Sequence, residues 1–388
     1  MPNEINPYFT EKKLHKIYGY GIPFIEGNIV RLLWKGNETF QAIFDAVRTA
    51  KELICLEFYI FRNDETGKEL AEILKHKASG GVNVYVLYDH FGSFGTSGKF
   101  WKDLKRAGVH VKASRPFKWT SPFNYVYRDH KKLIIVDGFK AFTGGLNIAD
   151  EYRGYYRFRR REGWRDTGIF LKGPVALILL NIFRKSWNLW KGEPIIFDKN
   201  VEPFQDGLPV LPIFASSAKG RRKMRRLLYY SINEARKSIY LTTAYFTPSR
   251  RMLQILENAV IRGLNVKLLL PGESDILAAH YAGRAFYTKL LKSGVKIYNY
   301  QGEILHAKTA VFDGMWSIIG SANLDFQSLR RNDEGNVGII DENFARNMIE
   351  VFDEDLKHSE EITLDKWIKR PFFEKVKEKF FAMFRRRL

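Results

Sequence analysis

A chain of 388 residues, 45% hydrophobic and 27% charged, has room for two folded domains and excludes a disordered or fibrous protein. Its formal charge of +20 calls for a polyanionic partner, either nucleic acid or an anionic membrane surface. The single cysteine, Cys55, excludes an internal disulfide and any multi-cysteine metal site; within Leu53-Ile54-Cys55-Leu56 it reads as a small core residue.

Residues 1–14 have no apolar run of the kind a secretory signal needs. Residues 39–53 carry helical periodicity, and apolar strands are expected at 53–61 and 82–87. Residues 104–111 (LKRAGVHV) close a helix and open a further strand. The stretch 116–127, with Phe117, Trp119, Phe123 and Tyr125, reads either as a loop dipping into acyl chains or as a buried lid. Next come Asp129-His130-Lys131-Lys132-Leu133-Ile134-Ile135-Val136-Asp137-Gly138 and Gly144-Gly145-Leu146-Asn147. Residues 152–161 (YRGYYRFRRR) are basic and aromatic, suited to headgroup contact or to a lobe interface. The apolar run 175–183, interrupted by Asn181, is too short to cross a bilayer, and the helix-like stretch 173–190 reads as core.

After Pro203, Gly207, Pro209 and Pro212 break the periodicity, the whole order returns. Residues 223–238 repeat the helix, 239–246 and 264–269 the strands, and 290–297 the helix end. Leu305-His306-Ala307-Lys308-Thr309-Ala310-Val311-Phe312-Asp313-Gly314 repeats the His-x-Lys strand, and Gly320-Ser321-Ala322-Asn323 the glycine segment. The spacing from His to Asn is 17 in both copies. An internal repeat of this kind predicts an α/β protein of two pseudo-twofold related lobes, each a mixed β-sheet flanked by helices. The lobes are drawn at 1–205 and 206–364, with motif segments at about 124–151 and 300–327 and a basic amphipathic tail at 365–388.

The repeated segment carries the chemistry. A strand running into Asp-Gly is a hairpin signal. With a two-residue loop, Val136 would pair with Phe139, Lys132 with Thr143 and His130 with Gly145. His130, Lys132 and Asn147 then project from one face, and His306, Lys308 and Asn323 do the same in the second copy. The result depends on an even loop, because a three-residue loop would invert both asparagines. Two such clusters across a pseudo-twofold axis present two imidazoles to one phosphate, one to attack phosphorus and one to protonate the leaving alkoxide. The lysines and asparagines suit phosphate oxygens. The lysines supply the charge stabilisation, so neither a metal nor a cofactor is called for. Asp137 and Asp313 are accounted for by the turn itself and are expected at the far end of the hairpin from the histidines.

The doubled pattern His-x-Lys-x4-Asp resembles the signature of the phospholipase D superfamily, complete in both copies: His130, Lys132 and Asp137, then His306, Lys308 and Asp313. That signature groups the two aspartates with the catalytic residues. Further phrases resemble bacterial cardiolipin synthases: Leu56-Glu57-Phe58-Tyr59-Ile60-Phe61, Trp164-Arg165-Asp166, Ala244-Tyr245-Phe246-Thr247-Pro248, Gly320-Ser321-Ala322-Asn323-Leu324-Asp325 and Asn332-Asp333-Glu334. The resemblance implies transfer of a phosphatidyl group from one phosphatidylglycerol to another through a phosphohistidine. It implies His130 as nucleophile, His306 as acid and base, and Asp166 and Glu334 as the carboxylates that orient the two rings. Many members carry N-terminal transmembrane helices; this sequence has none and matches the shorter, peripheral subgroup, expected on the cytoplasmic side of the cell membrane.

From 365 to 388, Phe373, Val376, Phe380, Phe384 and Leu388 recur at helical spacing among Lys375, Lys377, Lys379 and Arg385-Arg386-Arg387. Such a helix suits an anionic membrane, although the same apolar stripe would also serve to pack on the domain. The charge and aromatics would serve a nuclease of the same superfamily too. The tail and the synthase-like phrases argue against nucleic acid, which leaves a hydrolytic phospholipase D as the nearest rival.

Overall fold

The computed structural model describes residues 6–19, 23–117, 127–154 and 163–385. Most of the loop expected at 116–127, most of the basic stretch at 152–161 and the final residues 386–388 lie outside the described residues.

The repeat becomes two mirror-ordered halves of one mixed sheet. The first half holds β1 (Ile25–Leu33), β2 (Leu53–Phe58), β3 (Asn83–Asp89), β4 (His110–Ser114), β5 (Lys132–Val136), β6 (Lys140–Gly144) and β7 (Gly168–Lys172). The second holds β8 (Leu208–Ala215), β9 (Ser238–Thr242), β10 (Asn265–Pro271), β11 (Lys296–Tyr300), β12 (Thr309–Phe312), β13 (Trp316–Gly320), β14 (Glu334–Ile340) and β15 (Ser359–Ile362). Hydrogen-bonded neighbours run β15-β11-β10-β9-β12-β13-β14-β8-β1-β7-β6-β5-β2-β3-β4. The seam is the antiparallel pair of β1 and β8, with Ile25 opposite Val210.

In each half, parallel strands are linked by helices whose starts the sequence marks with polar caps. Asp64 caps Glu65–Ser79 through the Gly67 N–H, and Ser249 caps Arg250–Ile261 through the Met252 N–H. The strands of both lobes are apolar on two faces, as expected for sheets covered on both sides. One cluster joins the halves: Leu133, Ile135, Ile169 and Leu171 pack with Val311, Ile319, Val337 and Ile339, beneath helices Val175–Leu189 and Glu342–Lys357. The lobes therefore share a core, which fixes the distance across the seam.

Two expectations are corrected. The N-terminal segment, assigned to the first lobe, crosses to the second: Phe9, Leu14 and Tyr18 enter the core of Ile232, Leu241 and Trp316. The Tyr18 hydroxyl donates to the Phe214 carbonyl at 3.2 Å. The hairpin loops, read as two residues, are three. Val136 pairs with Lys140 and Leu133 with Thr143, while Phe312 pairs with Trp316 and Thr309 with Ile319.

The aspartate explains the longer loop. Asp137 and Asp313 sit at positive φ, 51° and 55°, each followed by a left-handed glycine. Asp137 accepts from the N–H groups of Lys51, Glu52 and Leu53 at 2.8–2.9 Å. Asp313 accepts from Arg236, Lys237 and Ser238, and from the Asn6 amide at 2.6 Å. The carboxylate, not the turn type, sets the geometry. Asp137→Ala should lower unfolding stability by about 1–3 kcal/mol through loss of three N–H bonds to a carboxylate, the one from Leu53 part-buried, measurable by urea titration, with kcat of the remaining folded enzyme unchanged. A loss of kcat without loss of stability would return Asp137 to the chemistry.

Candidate active site

The two lobes meet over a cavity of about 490 Å³ whose walls include His130, Asn147, His306 and Asn323. Both imidazoles thus open into one space. The asparagines reach it although the loops are odd. Each leaves the sheet before its Asn, at Gly144 and Gly320, so strand parity no longer governs where the side chain goes. Asn147 Oδ1 accepts from the Ile60 N–H at 3.1 Å and Nδ2 donates to the Tyr152 hydroxyl at 2.7 Å. Asn323 Oδ1 accepts from the Tyr245 N–H at 3.3 Å. In this structure both asparagines pin the end of a strand while facing the cavity.

Each histidine is held by the opposite lobe. His130 Nδ1 lies 3.0 Å from Glu334 Oε2, and His306 Nδ1 lies 2.6 Å from Asp166 Oδ2. The backbone is cross-linked at the same places. The His130 N–H donates to the Asp333 carbonyl at 2.8 Å, and the His306 N–H to the Arg165 carbonyl at 2.7 Å. Buried ion pairs brace both crossings. Asp333 is gripped by Arg115 and, at 3.0 Å, by Arg221; Arg165 is bidentate on Asp355 at 2.7 and 2.8 Å. On the first-lobe side Lys131 meets Glu57 at 2.5 Å and Asp129 at 3.2 Å. Removing one member of such a pair strands a buried charge, so these residues hold the crossing rigid.

The crossings differ. Gly145 faces Asp166 so closely that a Cβ there would stand 2.1 Å from Oδ1. In the second copy the position is Ser321, whose hydroxyl donates to Glu334 at 2.5 Å. Burial pushes the Glu334 carboxyl up to about 7, with Lys132 and the Ser321 hydroxyl acting against it.

Burial also sets the protonation of the rings. His130 is held well below the usual imidazole range, first by burial and then by the Lys132 and Lys308 charges. His306 is lowered by burial and Lys308, with Asp166 opposing. A neutral ring that donates Nδ1–H to its carboxylate keeps a lone pair on Nε2. Lys308 Nζ lies 2.8 Å from His306 Nδ1 as well; because that nitrogen has one proton and gives it to Asp166, the lysine donates instead to the His306 carbonyl. Lys132 donates likewise to the His130 carbonyl at 2.8 Å. Burial brings Lys132 down to about 7 and Lys308 to about 8. Neither lysine is among the described residues of the cavity wall; both sit behind the histidines. Asp137 and Asp313 are away from it, at the other end of their strands.

The cavity also has residues that no repeat flagged: Tyr59, Tyr152, Trp164, Tyr245 and Asp325. The Tyr59 ring lies 4.9 Å from that of His130, and Tyr152 and Trp164 lie 5.3 and 5.4 Å from His306. Tyr245 donates to Asp275 at 2.9 Å. A usable signal existed, since Tyr59 and Tyr245 lie just beyond β2 and β9, the matching strands of the two halves. They occupy positions one residue out of register, however, because Ile60 rather than Tyr59 matches Tyr245 in bonding its asparagine.

Comparison with known proteins identifies the family and the fold. A family model described as "Cardiolipin synthase, PLD-like domain" matches residues 43–155 and 228–356, one segment in each lobe. Cardiolipin synthase 2 of Bacillus anthracis is 36% identical over 363 residues, covering 91% of this chain and 69% of that protein. A cardiolipin synthase of Geobacillus thermodenitrificans (strain NG80-2) is 34% identical over 368 residues, covering 92% and 72%. Among solved structures, the phosphatidylserine synthase of Haemophilus influenzae Rd KW20 superposes with a TM-score of 0.74 at 15% identity, over 97% of this chain and all of that one. That likeness establishes the two-lobed fold.

Proposed function

Because the chain belongs to the cardiolipin synthase family of phospholipase D-like proteins, we propose that it transfers a phosphatidyl group from one phosphatidylglycerol to another, giving cardiolipin and glycerol. The observation that carries this reading is the pair of histidines on one cavity, each with its Nδ1 on a buried carboxylate. Neutral His130 attacks phosphorus through Nε2, and the P–O bond to glycerol breaks as His306, which enters the cycle as the imidazolium paired with Asp166, delivers its Nε2 proton to the departing oxygen. A second phosphatidylglycerol hydroxyl then gives its proton to His306 and displaces the imidazole from phosphorus. His130 is assigned as the nucleophile from the resemblance of the first motif copy, and burial keeps its ring in the neutral form that attack requires. His306 is the better proton carrier because Asp166 stands closer to it. Asn147 and Asn323, on the wall, are the donors proposed for the phosphate oxygens, and Lys132 and Lys308, one layer behind, are proposed to add positive charge to the site. Incubation with phosphatidylglycerol vesicles should yield cardiolipin and glycerol in equal amounts. Phosphatidic acid as the main product would make the protein a hydrolase, and nicked plasmid without lipid turnover would make it a nuclease.

We propose further that it works as a peripheral protein on an anionic membrane surface, on the cytoplasmic side. Among the described residues no helix is long and apolar enough to cross a membrane. Support comes from the terminal helix, Phe372–Met383. It docks on the second lobe through buried Glu378, which meets Arg284 at 3.1 Å and Arg370 at 2.6 Å, and through Phe381 stacked on Tyr281. Its apolar stripe therefore faces outward: Phe372, Phe373 and Met383 are 74%, 75% and 71% exposed, with Val376, Phe380 and Phe384 beside them. A stripe packed on the domain, the other expectation, is replaced by a polar dock. Changing Phe373, Phe380 and Met383 together to serine should weaken sedimentation with phosphatidylglycerol vesicles by at least about tenfold, since each buried Phe or Met is worth about 1.5–3 kcal/mol. The melting temperature should hold; unchanged sedimentation would remove the anchor.

A further inference from the structure

Beside the catalytic cavity, and sharing Asp325 with it, is a larger one of about 620 Å³. Arg225, Arg250, Arg251, Arg330 and Arg385 line it. Among the described residues no carboxylate forms an ion pair with any of the five. Asp325, on the same wall, accepts from the Ser328 N–H at 2.6 Å through Oδ1, and burial pushes its carboxyl up to about 7. Burial, and then the neighbouring Arg330, draw Arg225 below the usual guanidinium range. Five crowded cations without counter-ions repel one another unless an anion joins them. A second observation points the same way: Thr247 is 2% exposed and lines this cavity, yet its hydroxyl has no hydrogen-bond partner. The twelve-residue helix Arg250–Ile261 also begins here, adding the positive end of its dipole.

The matching place in the first lobe is acidic. There the equivalent helix starts with Asp64 and Glu65, and Arg62, two residues before the cap as Thr247 is, pairs with Glu151 at 3.0 Å. The pseudo-symmetry is broken only on one side, which suits a ligand that is itself bound in one orientation.

We propose that this arginine cavity binds the phosphodiester of the accepting lipid, the phosphate that is retained, so that its terminal hydroxyl is presented to the phosphohistidine past Asp325. The inference rests on the transferase reading. A product with two phosphates joined through one glycerol needs two adjoining anion sites, and a hydrolase needs one. The lipid surface is the source favoured over free phosphate, because Arg385 directly follows Phe384 on the exposed tail stripe.

The test compares two acceptors. Cardiolipin formation uses an acceptor that carries a phosphate. Exchange of labelled glycerol into phosphatidylglycerol uses the same phosphohistidine and an acceptor that carries none. In Arg251→Gln and in Thr247→Val, cardiolipin formation should fall by about tenfold or more at subsaturating lipid, while glycerol exchange stays within about twofold. Equal loss of both, or loss of neither, would overturn the proposal. Absence of both reactions in the unaltered protein would instead defeat the transferase reading. In that event, calorimetric titration with glycerophosphoglycerol tests the site alone. Binding that weakens in Arg251→Gln supports it, and equal binding, or preference for inorganic phosphate, refutes it.

Discussion

His130→Ala and His306→Ala should each reduce cardiolipin formation by about 10³-fold or more, with little change in unfolding temperature. The partner carboxylates are not left bare. Glu334 keeps the Ser321 hydroxyl, and Asp166 keeps the Thr167 N–H at 2.6 Å. The two variants should differ in what they retain. With a nitrophenyl phosphodiester, whose leaving group needs no proton, His306→Ala should still become labelled at His130, whereas His130→Ala should take up no label. Label on His306 in the His130→Ala protein would exchange the two roles. The pH dependence follows from the direction of the shifts. The attacking ring must be neutral, and burial holds it below the ordinary value of 6.5, so the acid limb of kcat/KM, where that ring takes up a proton, should lie below pH 6.5. An acid limb centred above that value would contradict the buried, neutral nucleophile.

Asp166→Asn and Glu334→Gln should each lower kcat by about 10²–10⁴-fold, since an amide in place of an orienting carboxylate no longer stabilises the imidazolium and permits the wrong tautomer. A merely structural role would depress all substrates alike, and here it should not. Asp166 serves His306, the proton carrier, so Asp166→Asn should spare the nitrophenyl substrate by at least about tenfold relative to phosphatidylglycerol. Glu334 serves His130, the nucleophile, and its loss should reduce both substrates together. Identical substrate profiles for the two variants would show that the crossings are scaffolding only.

Much of this architecture is legible in the residue order because the chain states it twice. Strands, crossover helices and the His-x-Lys segments recur at constant spacing, and a repeated pattern outweighs any single propensity. What escaped was decided by contacts distant in sequence. The loop after β5 reads as two residues because Asp-Gly favours that turn locally. Its real length is set by three N–H groups near residue 52 that the Asp137 carboxylate must reach. Asp166 and Glu334 could be singled out by resemblance, yet nothing local said that each would serve the other half's imidazole. The tail's amphipathicity was visible, but its orientation depended on Glu378, a charged residue that a helical projection would put in water and that Arg284 and Arg370 bury instead. Tyr59 and Tyr245 stood inside segments already singled out, but no place on the cavity was read for them, because they sit one residue out of register and a search for repeats weighs only matching positions.

The crossed carboxylates have a consequence for how such a molecule could arise and be taken apart. Produced as separate polypeptides, each half would own an imidazole with no acid behind it and an acid with nothing to orient, and activity would return only when the fragments reassociated along the β1–β8 seam. A single ancestral half could have worked only as a pair of identical copies, each lending its carboxylate to its neighbour. Fusion into one chain then released the two acids to diverge, one to aspartate and one to glutamate, so that a once-equivalent couple could settle into distinct duties.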